Sequence, residues 1–129
     1  MIVIDASAMI EALLRTSKAK AVDERLFGAR TRHAPHLIDV EVAQVVRRLA
    51  DRREIGADRG QAALQNLAVF PLIRHPHDVL LGRIWALRQN LTAYDAAYVA
   101  LAEALGAALL TCDRRLAKAA RRVVRVELI

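Results

Sequence analysis

The sequence predicts an α/β fold in which a central, mainly parallel sheet of four or five strands lies between two layers of helices. Short apolar runs of strand length alternate along the chain with longer segments in which apolar residues recur at helical spacing. The chain has 129 residues, of which 55% are hydrophobic, and this is enough to fill one core. No linker or repeat divides it, so we expect a single domain over residues 1–129.

The first strand is predicted at residues 2–4, where three β-branched residues follow one another. A run this short and apolar is typical of a strand that is buried on both faces of a parallel sheet. A helix should follow from Ser7, with Ile10, Leu13 and Leu14 on its inner face.

Three more helices are expected in the next part of the chain, at residues 18–30, 39–55 and 57–70. Each ends near a residue that stops helices, and these are Gly28, Gly56 and Pro71. Between the first two, residues 30–38 should form a connection with a short strand or an extended segment that leads into the next helix.

The second half of the chain repeats the alternation of strands and helices. Residues 72–74 predict a short edge strand, and residues 77–90 predict a helix with Val79, Leu80, Ile84 and Leu87 at helical spacing. The clearest helix begins at Thr92 and ends at Gly106. A buried strand (108–112), a short basic helix (114–122) and a last strand (123–129) follow. Such alternation predicts right-handed connections between parallel strands.

Charge and composition favour a cytoplasmic protein with a polyanionic partner. Twenty Lys and Arg against fourteen Asp and Glu give a net charge of +6, which suits nucleic acid. The longest apolar region, residues 96–110, is too short to span a bilayer, and the amino terminus lacks the pattern of a secretory signal. The lone Cys112 fits a reducing compartment.

Four carboxylates stand at four predicted helix starts: Asp5, Glu41, Asp95 and Asp113. Taken singly, each has a structural explanation, because a carboxylate near a helix N-terminus stabilises the helix by about 0.3–1 kcal/mol. Thr92 and Asp95 form a capping-box pattern, Asp113 is a possible N-cap, and Asp39 would cap the helix that carries Glu41.

Taken together, the four acids indicate a metal site. Asp5 and Asp113 follow strands, and the carboxyl ends of parallel strands meet at the edge of the sheet where ligands bind. Carboxylates gathered there would repel one another without a cation, and oxygen ligands select Mg²⁺, with Mn²⁺ as a substitute. On a basic protein such a site suggests hydrolysis of phosphodiester bonds by metal-activated water.

Three segments that contain these acids resemble the PIN domains of VapC ribonuclease toxins: "VIDASAMIEALL", "HLIDVEVAQVVRRL" and "LTAYDAAYVALAEALGAALLTCDRRLAKAA". The resemblance implies a PIN-like three-layer α/β/α fold and Mg²⁺-dependent endoribonuclease activity in a type II toxin–antitoxin system. It also implies a homodimer and inhibition by a cognate VapB-type antitoxin. Contact with DNA would be indirect, through the complex with the antitoxin.

The same resemblance assigns roles to individual residues. Asp5, Glu41, Asp95 and Asp113 match the catalytic acids that hold the metal. Ser7 and Thr92 match hydroxyl positions beside them, where each would orient water or a carboxylate, cap a helix, or do both. From their position next to Asp113 alone, Arg114 and Arg115 are the best candidates for contacts to RNA phosphates, whereas Thr111 is expected to be a strand residue.

Two other interpretations compete with a nuclease. A receiver domain is rejected because Ala6 follows Asp5 where a second acid would be needed, and no lysine is suitably placed late in the chain. A PIN-like module that binds RNA or protein without cutting it stays open as the alternative function. The histidines, His33, His36, His75 and His77, lack the spacing of a metal site and are expected to be exposed.

Overall fold

The computed structural model describes residues 1–129 and contains one sheet of five parallel strands with seven α-helices around it. The strands are β1 (Ile2–Ile4), β2 (Arg32–Pro35), β3 (Ile73–His75), β4 (Ala108–Thr111) and β5 (Val126–Leu128). The helices are α1 (Ala6–Leu13), α2 (Ala19–Gly28), α3 (Ile38–Asp51), α4 (Ala57–Val69), α5 (Leu81–Ala86), α6 (Ala93–Leu105) and α7 (Arg114–Ala120). The predicted α/β class and parallel sheet are therefore confirmed.

The strand order is β3-β2-β1-β4-β5, so β1 lies at the centre of the sheet. Strands β2 and β3 are added on one side of β1, and β4 and β5 are added on the other, so the strand order reverses between β1 and β4. Ile4 of β1 pairs with Leu110 of β4, and the two strands end together at one edge of the sheet. The predicted edge strand is confirmed as β3. The reversal between β1 and β4 is the place where parallel α/β sheets form their ligand sites.

Helices α1 to α4 pack with one another, whereas α5 packs on α6. Right-handed crossovers place the first group on one face of the sheet and α5, α6 and α7 on the other, which gives three layers. Seven consecutive residues of α6, Ala96–Ala102, are buried. This helix contacts β1, β2 and β4, so its amino end is held over the centre of the sheet.

Two glycines are explained by their surroundings. Gly106 ends α6 with φ at +60°, a left-handed conformation that strains any residue with a side chain, so the predicted stop is confirmed. Gly60 lies inside α4, where a Cβ atom would come within 2.9 Å of Val46 Cγ1. The close approach of α4 to α3 accounts for a glycine in a helix interior.

Helix α1 differs from its predicted form. It begins at Ala6, with Asp5 as its N-cap, and buries Ala8, Met9 and Ala12, while Ile10 and Leu13 are only partly buried. Leu14 is buried as predicted, and Ile10 and Leu13 pack at the edge of the core. The prediction was wrong about the start of the helix and missed the small residues and Met9, which form the centre of the buried face.

Residues 77–90 do not form one helix. They contain a 3-10 turn at Asp78–Leu80 and the six-residue α5. Of the four apolar residues predicted to face inward, only Leu80 is buried. Ile84 and Leu87 are half-buried, and Val79 is 79% exposed. No side chain caps α5, and a helix with little burial and no cap stays short.

The expected exposure of the histidines is wrong for His33. This residue lies in β2 and is 7% exposed. Its Nδ1 is 2.9 Å from Nε2 of His75, and its Nε2 is 2.9 Å from Oγ1 of Thr31. Pairing of β2 with β3 brings the two rings together, which no local sequence pattern reveals. His75 is only half-buried, and His36 and His77 are exposed as predicted.

None of the helices is both long and apolar enough to cross a lipid bilayer.

Candidate functional site

Asp5 is held at the end of β1 by its own helix cap. The side chain is 4% exposed, and its Oδ1 accepts a hydrogen bond from the backbone N–H of Ala8 at 3.0 Å. Burial raises the pKa of Asp5 to about 6, against the hydrogen bonds from Ala8, Thr111 and Ser7, which lower it. The strand thus delivers a carboxylate into a place where its charged form is poorly solvated.

Two hydroxyls complete the surroundings of Asp5. Ser7 Oγ lies 2.8 and 2.9 Å from the two carboxylate oxygens, and Thr111 Oγ1 donates to Oδ2 at 2.7 Å. In turn, Ser7 Oγ accepts from the backbone N–H of Cys112 at 2.9 Å, and Thr111 Oγ1 accepts from that of Asp113 at 3.0 Å. The hydroxyls therefore link the end of β1 to the end of β4.

This network corrects the expectation for Ser7 and adds a contact to the one for Thr111. Ser7 does not cap α1, because Asp5 occupies that position and Ser7 donates to it. Thr111 lies in β4 as predicted, but its hydroxyl also bonds directly to Asp5. The sequence feature that could have predicted this bond is a hydroxyl residue at the end of a strand, two residues before Asp113.

Glu41 approaches the same edge from the first turn of α3. Its Oε1 is buried and has no hydrogen-bond partner. Burial raises the pKa of Glu41 to about 7, and the charges of Asp95 and Asp5 add to the effect. The expected cap for this helix is wrong, because Leu37 holds the N-cap position and Asp39 instead pairs with Arg74, with Nε 2.7 Å from Oδ2.

Asp95 and Asp113 enter from α6 and α7. Thr92 caps α6 as predicted, its Oγ1 accepting from the backbone N–H of Asp95 at 3.2 Å. Burial and the charge of Asp113 raise the pKa of Asp95, while Arg115 and Thr92 lower it. Asp113 Oδ1 caps α7 by accepting from the backbone N–H groups of Arg115 and Leu116 at 2.8 and 3.1 Å.

All four acids line one cleft of about 340 Å³ at the carboxyl edge of the sheet. The cleft is also lined by Ala6, Ser7, Ile10, Glu11, Val45, Tyr98 and Cys112. Arg114 and Arg115 lie exposed beside it at the start of α7, and neither forms part of its wall. Thr92 is likewise outside the wall, one turn before Asp95.

Tyr98 is a cleft residue that the sequence patterns did not connect with the four acids. Its hydroxyl is buried without a hydrogen-bond partner, and the side chain is 1% exposed. Burial, followed by the charges of Glu41 and Asp5, raises the pKa of Tyr98 far above its ordinary value, so the phenol stays protonated. The cleft therefore contains an unpaired donor as well as the unpaired acceptor of Glu41.

The donors of this cleft fit a hard divalent cation. The carboxylates lie near one another, and burial leaves their charged forms poorly solvated. Glu41 Oε1 has no hydrogen-bond partner and could bind a cation. No three of the acidic, histidine or cysteine side chains are close enough together to hold one ion directly. Mg²⁺ commonly binds through one or two carboxylates and keeps several waters, which suits carboxylates spread around a cleft.

Comparison with known proteins agrees with this geometry. The PIN domain family matches residues 2–122. Ribonuclease VapC9 of Mycobacterium tuberculosis is 50% identical over 116 residues, which cover 90% of this chain and 88% of that protein. Ribonuclease VapC12 of the same organism is 42% identical over 129 residues, which cover 100% of this chain and 99% of that protein.

A solved structure supports the fold independently. The VapBC2 complex of Rickettsia felis, bound to a DNA fragment from its promoter, has a chain that superposes with a TM-score of 0.69 at 15% identity. The superposition covers 98% of each chain. The matched residues, the identities and the parallel five-stranded sheet lead to one conclusion: the chain belongs to the PIN domain family and, within it, to the VapC ribonucleases.

Proposed function

We propose that this protein is a Mg²⁺-dependent endoribonuclease and the toxic component of a type II toxin–antitoxin system. The observation that carries the proposal is the convergence of Asp5, Glu41, Asp95 and Asp113 on one cleft. These residues come from four separate elements, α1, α3, α6 and α7, and capping alone gives no reason for four helices to bring their acids together.

The metal in this proposal is Mg²⁺, with Mn²⁺ as a substitute, and the same four acids would hold it, some directly and the others through its bound waters. When bound, the ion would lower the pKa of a water molecule and offset charge on the phosphate group. In the reaction, oxygen from water forms a bond to phosphorus while the ester bond to the leaving ribose oxygen breaks.

The residues of the chain divide the remaining work. Asp5 would be oriented by Ser7 and Thr111, whose hydroxyls donate to its two oxygens. Ser7 and Thr111 are positioning residues in this scheme. Thr92 is one as well, because it caps α6 and so fixes the first turn of the helix, which carries Asp95. Glu41 would offer its unpartnered oxygen to the bound cation or its water.

The substrate in this proposal is RNA, and the relatives VapC9 and VapC12 are both named as ribonucleases. The net charge of +6 favours a polyanion, and it is positive in spite of the acids in the cleft. Arg114 and Arg115 would contact phosphates next to the cleft, because they follow Asp113 directly and are exposed.

The proposed protein partner is a cognate VapB-type antitoxin, which would inhibit the cleft, and the proposed assembly is a homodimer. The VapBC2 complex of Rickettsia felis supports the antitoxin, since a relative of the same fold is found there with its partner on promoter DNA. Contact with DNA would then be indirect, through the antitoxin. A cytoplasmic location follows from a target in cellular RNA.

A cleavage assay tests the proposal. Purified protein is expected to cut a structured RNA with Mg²⁺ or Mn²⁺ and to lose this activity with EDTA or in the Asp5→Asn variant. Asparagine caps helices as well as aspartate does, so the variant should keep its fold, which circular dichroism would check. Growth arrest confined to the wild type in a heterologous host, followed by mapping of the cut RNA, would identify the target.

The rival is a PIN-like module that binds RNA or protein without cutting it. It is favoured by one observation, that no three side chains form a preassembled metal cluster. Equal cleavage by wild type and Asp5→Asn would reveal a contaminant, and RNA binding without any cleavage would replace the nuclease with the binding module.

A further inference from the structure

A second concave surface lies beside the carboxylate cleft, and every charge on it is positive. This groove of about 210 Å³ is lined by Asn90, Arg115, Lys118, Ala119 and Arg122. Arg115 and Lys118 are one turn apart on α7, and Arg122 lies in the turn that follows the helix. Asn90 faces them from the segment between α5 and α6. We call this surface the α7 groove.

The polar side chains of the α7 groove have no partners within the protein. The six ion pairs of the chain involve other residues. Among the side-chain hydrogen bonds, Arg115 contributes only its backbone N–H, and the other three polar residues contribute none. Other arginines of the fold do have acidic partners, as in the pairs of Arg74 with Asp39 and Arg83 with Glu103. Three unpaired cations around one concavity are therefore available to an external anion.

The α7 groove is adjacent to the acids of the cleft. Arg115 lies two residues after Asp113, and its backbone N–H donates to Asp113 Oδ1 at 2.8 Å, so it is in direct contact with an acid of the cleft. It stands at the boundary, with acids on one side and Lys118 and Arg122 on the other. A chain of phosphates that passes the acids would meet these cations next.

We propose that the α7 groove binds the phosphodiester backbone of the RNA beside the bond that is cut. The inference rests on the proposed function and adds Lys118, Arg122 and Asn90 to the substrate-binding surface. It also separates the two neighbouring arginines, because Arg115 lines the groove and Arg114 does not. With three cations and an amide but no aromatic ring, the groove recognises phosphate and sugar groups, so its contribution to affinity is independent of base sequence.

Binding of RNA by variants that cannot cut it tests the groove. The probe is a fluorescein-labelled RNA stem-loop with a mixed-sequence loop, measured by anisotropy with Mg²⁺ in an Asp5→Asn background over a series of salt concentrations. The groove variant is Lys118→Gln with Arg122→Gln. Its matched control is Arg30→Gln with Arg48→Gln, which removes the same charge from exposed, unpaired arginines outside the groove.

The groove variant is expected to bind roughly tenfold more weakly at low salt and to lose about 1.4 from the slope of log K against log salt, because each contact to single-stranded phosphate contributes about 0.7. The control should change both quantities much less. In the active background, the groove variant should raise KM and leave kcat near the wild-type value, and Lys118→Arg, which keeps the positive charge, should bind RNA like the wild type. Thermal unfolding would verify that both double variants are folded.

Failure of the groove and failure of the proposed function give different results. If the groove and control variants bound RNA with the same Kd and the same salt slope, the proposed role of the groove would be wrong even if the wild type cuts RNA. The groove would also be overturned if its variant bound RNA like the control but bound the cognate antitoxin less tightly, since the surface would then recognise a protein. A wild type that never cuts RNA would contradict the nuclease, while the binding comparison would still test the groove.

Discussion

A network of hydrogen bonds fixes the orientation of the Asp5 carboxylate. The carboxylate accepts from a backbone N–H and from two hydroxyls, and each hydroxyl accepts from a backbone N–H of the segment after β4. Both Ser7 and Thr111 therefore use their hydroxyl as donor and as acceptor. A residue that lacks either function leaves a buried group without its partner, which is costly in a low-dielectric interior.

Thr111→Val tests this network at the scale of one hydroxyl. The change keeps the shape of the side chain and removes the donor to Asp5 Oδ2 and the acceptor for the backbone N–H of Asp113. We expect a loss of about 1–3 kcal/mol in the free energy of unfolding, measured with urea, and a lower kcat in RNA cleavage.

Thr111→Ser is the matched control, because it keeps the hydroxyl and should retain most of the stability and activity. A Thr111→Val protein as active and as stable as Thr111→Ser would show that the hydroxyl does not position Asp5.

Helix ends are the elements that arrange the site. Each acid reaches the cleft from the first turn of a helix or from its cap, so the position of each helix start sets the position of a carboxylate. Helix α6 is the central example, since its amino end carries Thr92 and Asp95 and its carboxyl end is fixed by Gly106 before β4 begins. Stability and site geometry are thus properties of the same helix.

Gly106→Ala tests the far end of α6. At φ +60° an alanine is strained, so we expect the variant to be less stable by about 1 kcal/mol in thermal or urea unfolding. Gly82→Ala in α5 is the control, because its φ is not in the left-handed region and a Cβ there would meet nothing within 4 Å. That change should be neutral or slightly stabilising. If both changes had the same effect, the left-handed cap would not be what ends α6.

At the scale of the whole molecule, a group of acids lies next to a group of bases. Carboxylates line the cleft, whereas three cations without protein partners line the neighbouring α7 groove. Crowded acids reduce the stability of the metal-free protein, because burial and mutual repulsion disfavour their charged forms. The proposed cation would relieve this repulsion, so folding and metal binding should be coupled.

The stability of the metal-free protein should therefore fall as the pH rises. The pKa of Asp5 is about 6 and that of Glu41 about 7 in the folded chain, above their ordinary values of 3.8 and 4.5. Between about pH 4 and pH 7 the folded chain then holds more protons than the unfolded chain, and its stability decreases through this window. For Asp5 alone the loss is on the order of 2–3 kcal/mol.

Urea unfolding from pH 4 to pH 8 in EDTA and in Mg²⁺ measures this effect. Mg²⁺ at about 100 times its Kd should restore about 2.7 kcal/mol at pH 7 and flatten the decline. Glu41→Gln keeps the shape of the side chain and should be more stable than wild type at pH 7 in EDTA. A metal-free wild type whose stability rises from pH 5 to pH 7 would contradict the account.

Local patterns in the sequence determined the number and type of most elements. Strand β1 with Asp5 at its end, helix α6 between Thr92 and Gly106, and the positions of all four acids at helix starts are properties of a few neighbouring residues. Hydrophobic periodicity and helix capping operate over about one or two turns, so they can be read without knowing the rest of the fold. The same patterns failed at Val79, where burial against other elements decided the outcome.

Only the tertiary structure decided which of these residues meet. Ser7 and Thr111 are 104 residues apart in the chain, and their hydroxyls share one carboxylate because β1 and β4 are paired in parallel. The burial of His33 beside His75 and the position of Asn90 opposite Lys118 depend in the same way on packing between distant segments. The physical reason is that strand order and register are set by the burial of the whole core, whereas a local pattern specifies only the element on which a residue lies.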